Sequence, residues 1–132
     1  MVAADLNYAA AHKRMVETGE PLVVLVGADW CPACRSMKQS VIPQAKRAGL
    51  LNSVAFAVVN TDREPALARQ LMRGSSIPQL IMYQKSENGW RRRQLTGSQS
   101  LDSLESFLAQ PAPPADAPKV SDRKPTEGVM GR

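Results

Sequence analysis

The sequence predicts an α/β protein built on a mixed four-stranded sheet, two parallel strands plus an antiparallel hairpin, with helices on both faces. Three observations carry this. Two aliphatic runs, Leu22-Val23-Val24-Leu25-Val26-Gly27-Ala28 and Val54 to Val59, are separated by a helix-length segment. That connection makes their strands parallel, with a right-handed crossover. Two further strand-like runs, Leu80 to Tyr83 and Trp90 to Leu95, flank Ser86-Glu87-Asn88-Gly89, which ends in a strong Asn-Gly hairpin signal. The other periodic segments have the spacing of amphipathic helices.

Taken in order, Asp5 to Thr18 reads as a helix with Leu6, Ala10 and Met15 (or Ala9 and Lys13 on the adjoining face) at helical spacing and Gly19 as its stop. Pro21 opens the first strand, whose unbroken apolar character predicts a central strand covered on both faces. Pro32, a favoured first-turn residue, starts a helix through Met37 and Val41, which Pro43 is expected to kink or break and Gly49 to end. The second strand closes at Asn60-Thr61-Asp62, and a short helix follows from Pro65 to Met72 with Leu67, Leu71 and Met72 as its apolar side. Gly97-Ser98 leads into a last helix near Ser100 to Leu108, where Leu101, Leu104, Phe107 and Leu108 have core spacing. From Pro111 onward the chain carries half of its prolines and few large apolar residues, so 111–132 is expected to be a disordered tail behind a single domain, 1–110.

Composition excludes several function classes. With 43% hydrophobic and 22% charged residues the chain is ordinarily globular. Its net charge of +5 is too thinly spread for a nucleic-acid binder. Arg91-Arg92-Arg93 falls on a predicted strand, where neighbours face opposite sides and form no continuous patch. No apolar segment approaches the ~18–20 residues that span a bilayer. Met1-Val2-Ala3-Ala4-Asp5 lacks the basic start and apolar stretch of a signal peptide, and the two cysteines form no secretory framework, so the compartment leans to the cytoplasm. A monomer is expected.

Both cysteines lie in Trp30-Cys31-Pro32-Ala33-Cys34, directly after the first strand. A disulfide across so small a loop stabilises a fold least, because loop-closure entropy grows with loop length, so chemistry explains the pair better. Zinc wants four ligands and the chain offers no second pair, while an iron–sulfur cluster needs still more cysteines. His12, the lone histidine, sits among alanines and is expected to be exposed and passive. Two inert buried thiols remain an alternative. Redox exchange fits best: Cys31, at a helix N-terminus whose free amides and dipole favour the thiolate, attacks. Cys34, one turn inward and more buried, then resolves the mixed disulfide.

Trp30-Cys31-Pro32-Ala33-Cys34-Arg35, the strand before it, Asn60-Thr61-Asp62, Ile77-Pro78 and Gly97 together resemble the thioredoxin family. The similarity spans roughly residues 5–110, and Asp29-Trp30-Cys31 is also similar to reductase domains of transmembrane thiol transporters. The resemblance implies a thioredoxin-like fold with a cis Ile77-Pro78 bond beside the cysteines, where the Ile77 backbone pairs with an extended substrate. Read on its own, Pro78 would be a trans proline at the start of a strand. Trp30 either covers the motif and contacts substrate or packs against the core; Arg35 either adds charge beside the thiols or is a partner-free surface residue. The partners implied are disulfide-containing proteins and a thiol electron donor, with no bound cofactor, since electrons pass through Cys31 and Cys34.

Four positions depart from the family. Leu25 stands where a buried aspartate usually lies beneath the second cysteine, and Val58 where a lysine often pairs with it. Gln79 replaces the common threonine after the proline, and Pro32-Ala33 replaces Gly-Pro between the cysteines, a dipeptide that helps set the reduction potential. The leading expectation is a protein-disulfide reductase. A disulfide oxidase or isomerase, and a redox-sensing binding module, are the alternatives.

Overall fold

The computed structural model describes residues 7–87 and 89–109. The proposed tail, 111–132, and the first residues of the predicted N-terminal helix lie outside them. Asn7 caps that helix by accepting the Ala10 N–H at 2.8 Å, so α1 runs Tyr8–Thr18. It buries Ala11 and Met15, one i,i+4 pair: Met15 lies on the predicted stripe as expected, whereas Ala10 is exposed and Ala11 is buried in its stead; Leu6 lies outside the described residues. Gly19, at φ +79°, closes the helix with its N–H on the Met15 carbonyl.

The sheet is mixed and four-stranded, in the order β2-β1-β3-β4. β1 (Leu22–Gly27) is buried at every position and pairs parallel with β2 (Ala55–Asn60) and antiparallel with β3 (Gln79–Ser86). β3 folds back onto β4 (Gly89–Thr96), with Ser86 opposite Gly89 across the hairpin. Both hairpin strands are longer than their apolar cores suggested, since backbone pairing continues into polar residues.

The chain between β1 and β2 narrows one expectation. Of a kink or a break at Pro43, the break does not occur. α2 (Pro32–Ser36) passes through a π turn (Met37–Val41) into α3 (Ile42–Arg47), with helical backbone throughout. The Ile42 N–H bonds the Met37 carbonyl five residues back. That wider turn moves aside the carbonyl that the Pro43 ring would otherwise strike, and Pro43 sits in the first turn of α3, where a missing N–H costs little. Gly49, at φ +80°, ends the run with Leu50 N–H on the Ala45 carbonyl and Gly49 N–H on that of Lys46.

α4 (Pro65–Leu71) buries Ala68 and Leu71; Leu67 and Met72 are partly covered. α5 (Leu101–Ala109) starts after Ser100, whose Oγ accepts the Ser103 N–H, and buries Leu104 and Phe107. Two cores result. On one face Val23, Leu25, Met37, Ile42, Leu80, Leu104 and Phe107 pack together; on the other, Val24, Val26, Ala57 and Ile81 meet Ala11, Met15, Ala68 and Leu71. The three arginines of β4 split between the faces as the alternation requires. Arg92 donates to the Leu71 carbonyl beneath α4, whereas Arg93 reaches the Phe107 carbonyl on α5.

Candidate active site

Cys31 is the residue that caps α2. Its Sγ accepts the Cys34 N–H at 3.2 Å, a first-turn amide with no partner inside the helix, and its own carbonyl accepts from Arg35. Pro32 follows as the first helical residue. This local geometry alone brings the two free thiols onto one turn. They are almost equally covered, 6% exposed at Cys31 and 5% at Cys34, so the expected contrast in burial is nearly absent. Their chemical settings still differ. Burial first, then the adjoining Cys31 sulfur, push the Cys34 thiol up to about 11, against a smaller opposing pull from the Ala28 backbone.

Gly27, at the end of β1, makes room for this arrangement. A methyl group there would lie 2.8 Å from the Cys34 sulfur and 3.0 Å from its Cβ. In the sequence, a glycine in an otherwise aliphatic strand is the signal of such a close approach. The same position locates the proline. The Ile77-Pro78 bond is cis, and Gln79 lies opposite Val26, so continuing the register by one sets Pro78 beside Gly27 and hence beside the thiols. Pro78 is buried and its carbonyl accepts the Gly97 N–H at 2.8 Å. Among the described residues nothing hydrogen-bonds the backbone of Ile77.

The loop carrying Trp30 is tied to the loop after β2. Trp30 is 66% exposed, not packed in the core, and its indole N–H donates to Asp62 at 3.0 Å. Asn60 donates to Asp29, Arg63 pairs with the same carboxylate at 3.3 Å, and the Asn60 Oδ1 accepts the amides of Asp62 and Arg63. Arg35 is exposed but not partner-free: it donates to the Asp29 carbonyl at 2.9 Å, pinning the helix to the loop before it. Ala33 is half-buried between the cysteines. Trp30 and Ile77 share a groove of about 290 Å³ with Pro65, Ala68, Arg69 and Met72. His12, exposed as expected, lies beside Tyr8 on α1.

Behind the thiols lies a larger cleft of about 750 Å³ that Cys34 also lines. Leu25 and Val58, cross-strand partners, form its apolar floor, and Arg35, Lys38 and Arg63 stand on its exposed rim. The carboxylates on it, Asp29 and Glu64, are exposed rather than set beneath the sulfur.

A buried dithiol at a helix start, beside a cis proline and at the end of a central strand, defines a thioredoxin-like protein. Comparison with known proteins agrees: the thioredoxin family model matches residues 4–110, and the chain belongs to the thioredoxin family. A chloroplastic M-type thioredoxin of Spinacia oleracea is 28% identical over 109 residues, covering 80% of this chain and 57% of that protein. The chain thus spans little more than half the length of that curated relative. Among solved structures, Trxlp from Edwardsiella tarda EIB202 aligns with a TM-score of 0.63 at 27% identity, over 80% of this chain and 97% of that one. A Thermus thermophilus thioredoxin aligns at 0.67 and 24% identity, over 82% and 85% respectively, a likeness of fold. Among the described residues no helix is long and apolar enough to cross a membrane.

Proposed function

We propose that this protein is a thiol–disulfide oxidoreductase that reduces disulfides in protein substrates, with Cys31 as nucleophile and Cys34 as resolving thiol. The observation that carries the reading is the Cys31 sulfur at the α2 cap, one turn from a Cys34 thiol pushed up to about 11. The Cys31 thiolate attacks one sulfur of the substrate disulfide. That S–S bond breaks, a mixed disulfide forms, and the first substrate sulfur leaves as a thiolate and takes up a proton. Cys34 gives up its proton and attacks the Cys31 sulfur, which releases the second substrate thiol and leaves a Cys31–Cys34 disulfide. Two electrons have passed to the substrate through the two sulfurs, and an external thiol donor restores the pair. Trp30 and Ile77 supply the groove for the substrate chain, and the open Ile77 backbone can pair with it.

The direction depends on the stability of the reduced pair, since a strong oxidant owes its potential to a stabilised reduced form. The thioredoxin match over residues 4–110 favours the reductase direction. Equilibration with glutathione buffers tests this: a reductase gives a potential near that of thioredoxin, and a value near that of protein disulfide isomerase or above overturns the reductase reading. Reduction of insulin by the protein with dithiothreitol must also vanish in Cys31→Ser.

A further inference from the structure

Gln79 is polar and wholly buried, 0% exposed, at the first position of β3 and immediately after the cis proline. Its amide is spent on one neighbouring segment. The Oε1 accepts the Arg73 N–H at 3.2 Å, and the Nε2 faces the carbonyls of Arg73 at 2.9 Å, Ser76 at 2.9 Å and Gly74 at 3.3 Å. That segment joins α4 to Ile77. Arg73, Gly74, Ser75 and Ser76 are all exposed, so no apolar side chain anchors it from within. Gln94 on β4 adds a second tie, its Nε2 donating to the Arg73 carbonyl at 3.3 Å.

We infer that Gln79 is the positioning residue for the loop Arg73–Ile77 and, through it, sets how the Ile77 backbone is presented to a substrate chain. Only a primary amide at this position offers both an acceptor for the Arg73 N–H and two donor hydrogens for the carbonyls around it. A threonine hydroxyl, with one hydrogen, cannot hold the same loop. The residue touches no reacting atom; it acts on binding of an extended substrate and leaves exchange at Cys31 alone. This inference rests on the proposed exchange at Cys31.

The test compares two substrates, insulin and hydroxyethyl disulfide, the second too small to need the loop. Gln79→Ala is expected to raise KM for insulin about ten-fold with kcat nearly unchanged, because several buried hydrogen bonds to the loop are lost together. Its rate with hydroxyethyl disulfide stays within about two-fold of the wild type, as for a change confined to uniform binding. Gln94→Ala, on the edge strand and tolerant of truncation, moves the same ratio in the same direction by about two- to three-fold, and it decides the matter if Gln79→Ala does not fold. Equal losses on both substrates, or an unchanged ratio in both variants, overturn the inference. If the wild type reduces neither substrate, the functional reading falls first and the inference with it.

Discussion

A methyl group at position 27 would lie 2.8 Å from the Cys34 sulfur, inside the distance real contacts allow, so Gly27→Ala must push the Cys34 thiol off its seat. Overpacking of this kind costs about 1–3 kcal/mol. We expect the urea midpoint of Gly27→Ala to fall accordingly, and the mixed disulfide formed on Cys31 to persist longer than in the wild type. Mass spectrometry after quenching reads the second effect; an unchanged lifetime would deny Gly27 any part in resolution. Cys34 itself predicts a pH effect. Its thiol is pushed from 9.0 to about 11 in the folded protein, chiefly by burial. A raised value means that the folded state holds the proton longer than the unfolded chain. The corresponding stability is complete below pH 9.0 and is lost as pH rises through about 11. In a Cys31→Ser background, where burial persists, the difference in stability from the Cys31→Ser, Cys34→Ser double variant should shrink across that window.

Between elements, the clearest dependence is that of α5 on β4. Arg93 donates to the Phe107 carbonyl at 2.9 Å and to Gln84 at 3.1 Å, and its guanidinium lies 4.4 Å from the Phe107 ring centroid. Charged hydrogen bonds and a partly desolvated cation–π contact together make Arg93→Ala destabilising by about 2–3 kcal/mol. Arg93→Lys recovers little, since an ammonium lacks the planar fork. Urea denaturation checks both. The alternation that sends Arg93 toward α5 and Arg92 toward α4 was readable from the sequence, as were the order of elements, the central strand and the Cys31–Cys34 turn, because each follows from local periodicity or capping. What escaped depended on tertiary partners. The π turn ahead of Pro43, with its hydrogen bond reaching five residues back, has no signal in local periodicity, and the burial of Ala11 rather than Ala10 beside Met15 is set by the sheet beneath α1. Gln79 looked like a bare departure from threonine until its four loop partners were in place.

At the scale of the molecule, the thiols sit where the chain leaves β1 for β2 on one side, with β3 returning on the other. The fold therefore holds the two thiols on one turn, and this has a thermodynamic consequence. An unfolded chain must close the four-residue loop against its own entropy to form the disulfide, at about 2 kcal/mol by the loop-closure relation. In the folded chain that ordering is already in place, so folding favours the oxidised form. The oxidised protein should then resist urea by about 2 kcal/mol more than the reduced one at neutral pH. By the two-electron relation, its potential lies about 40 mV below that of the same pair in the unfolded chain. Parallel urea titrations with and without excess dithiothreitol measure the difference. A reduced form that proves the more stable would mean that the fold stores oxidising power, and electrons would then flow from substrate to Cys31.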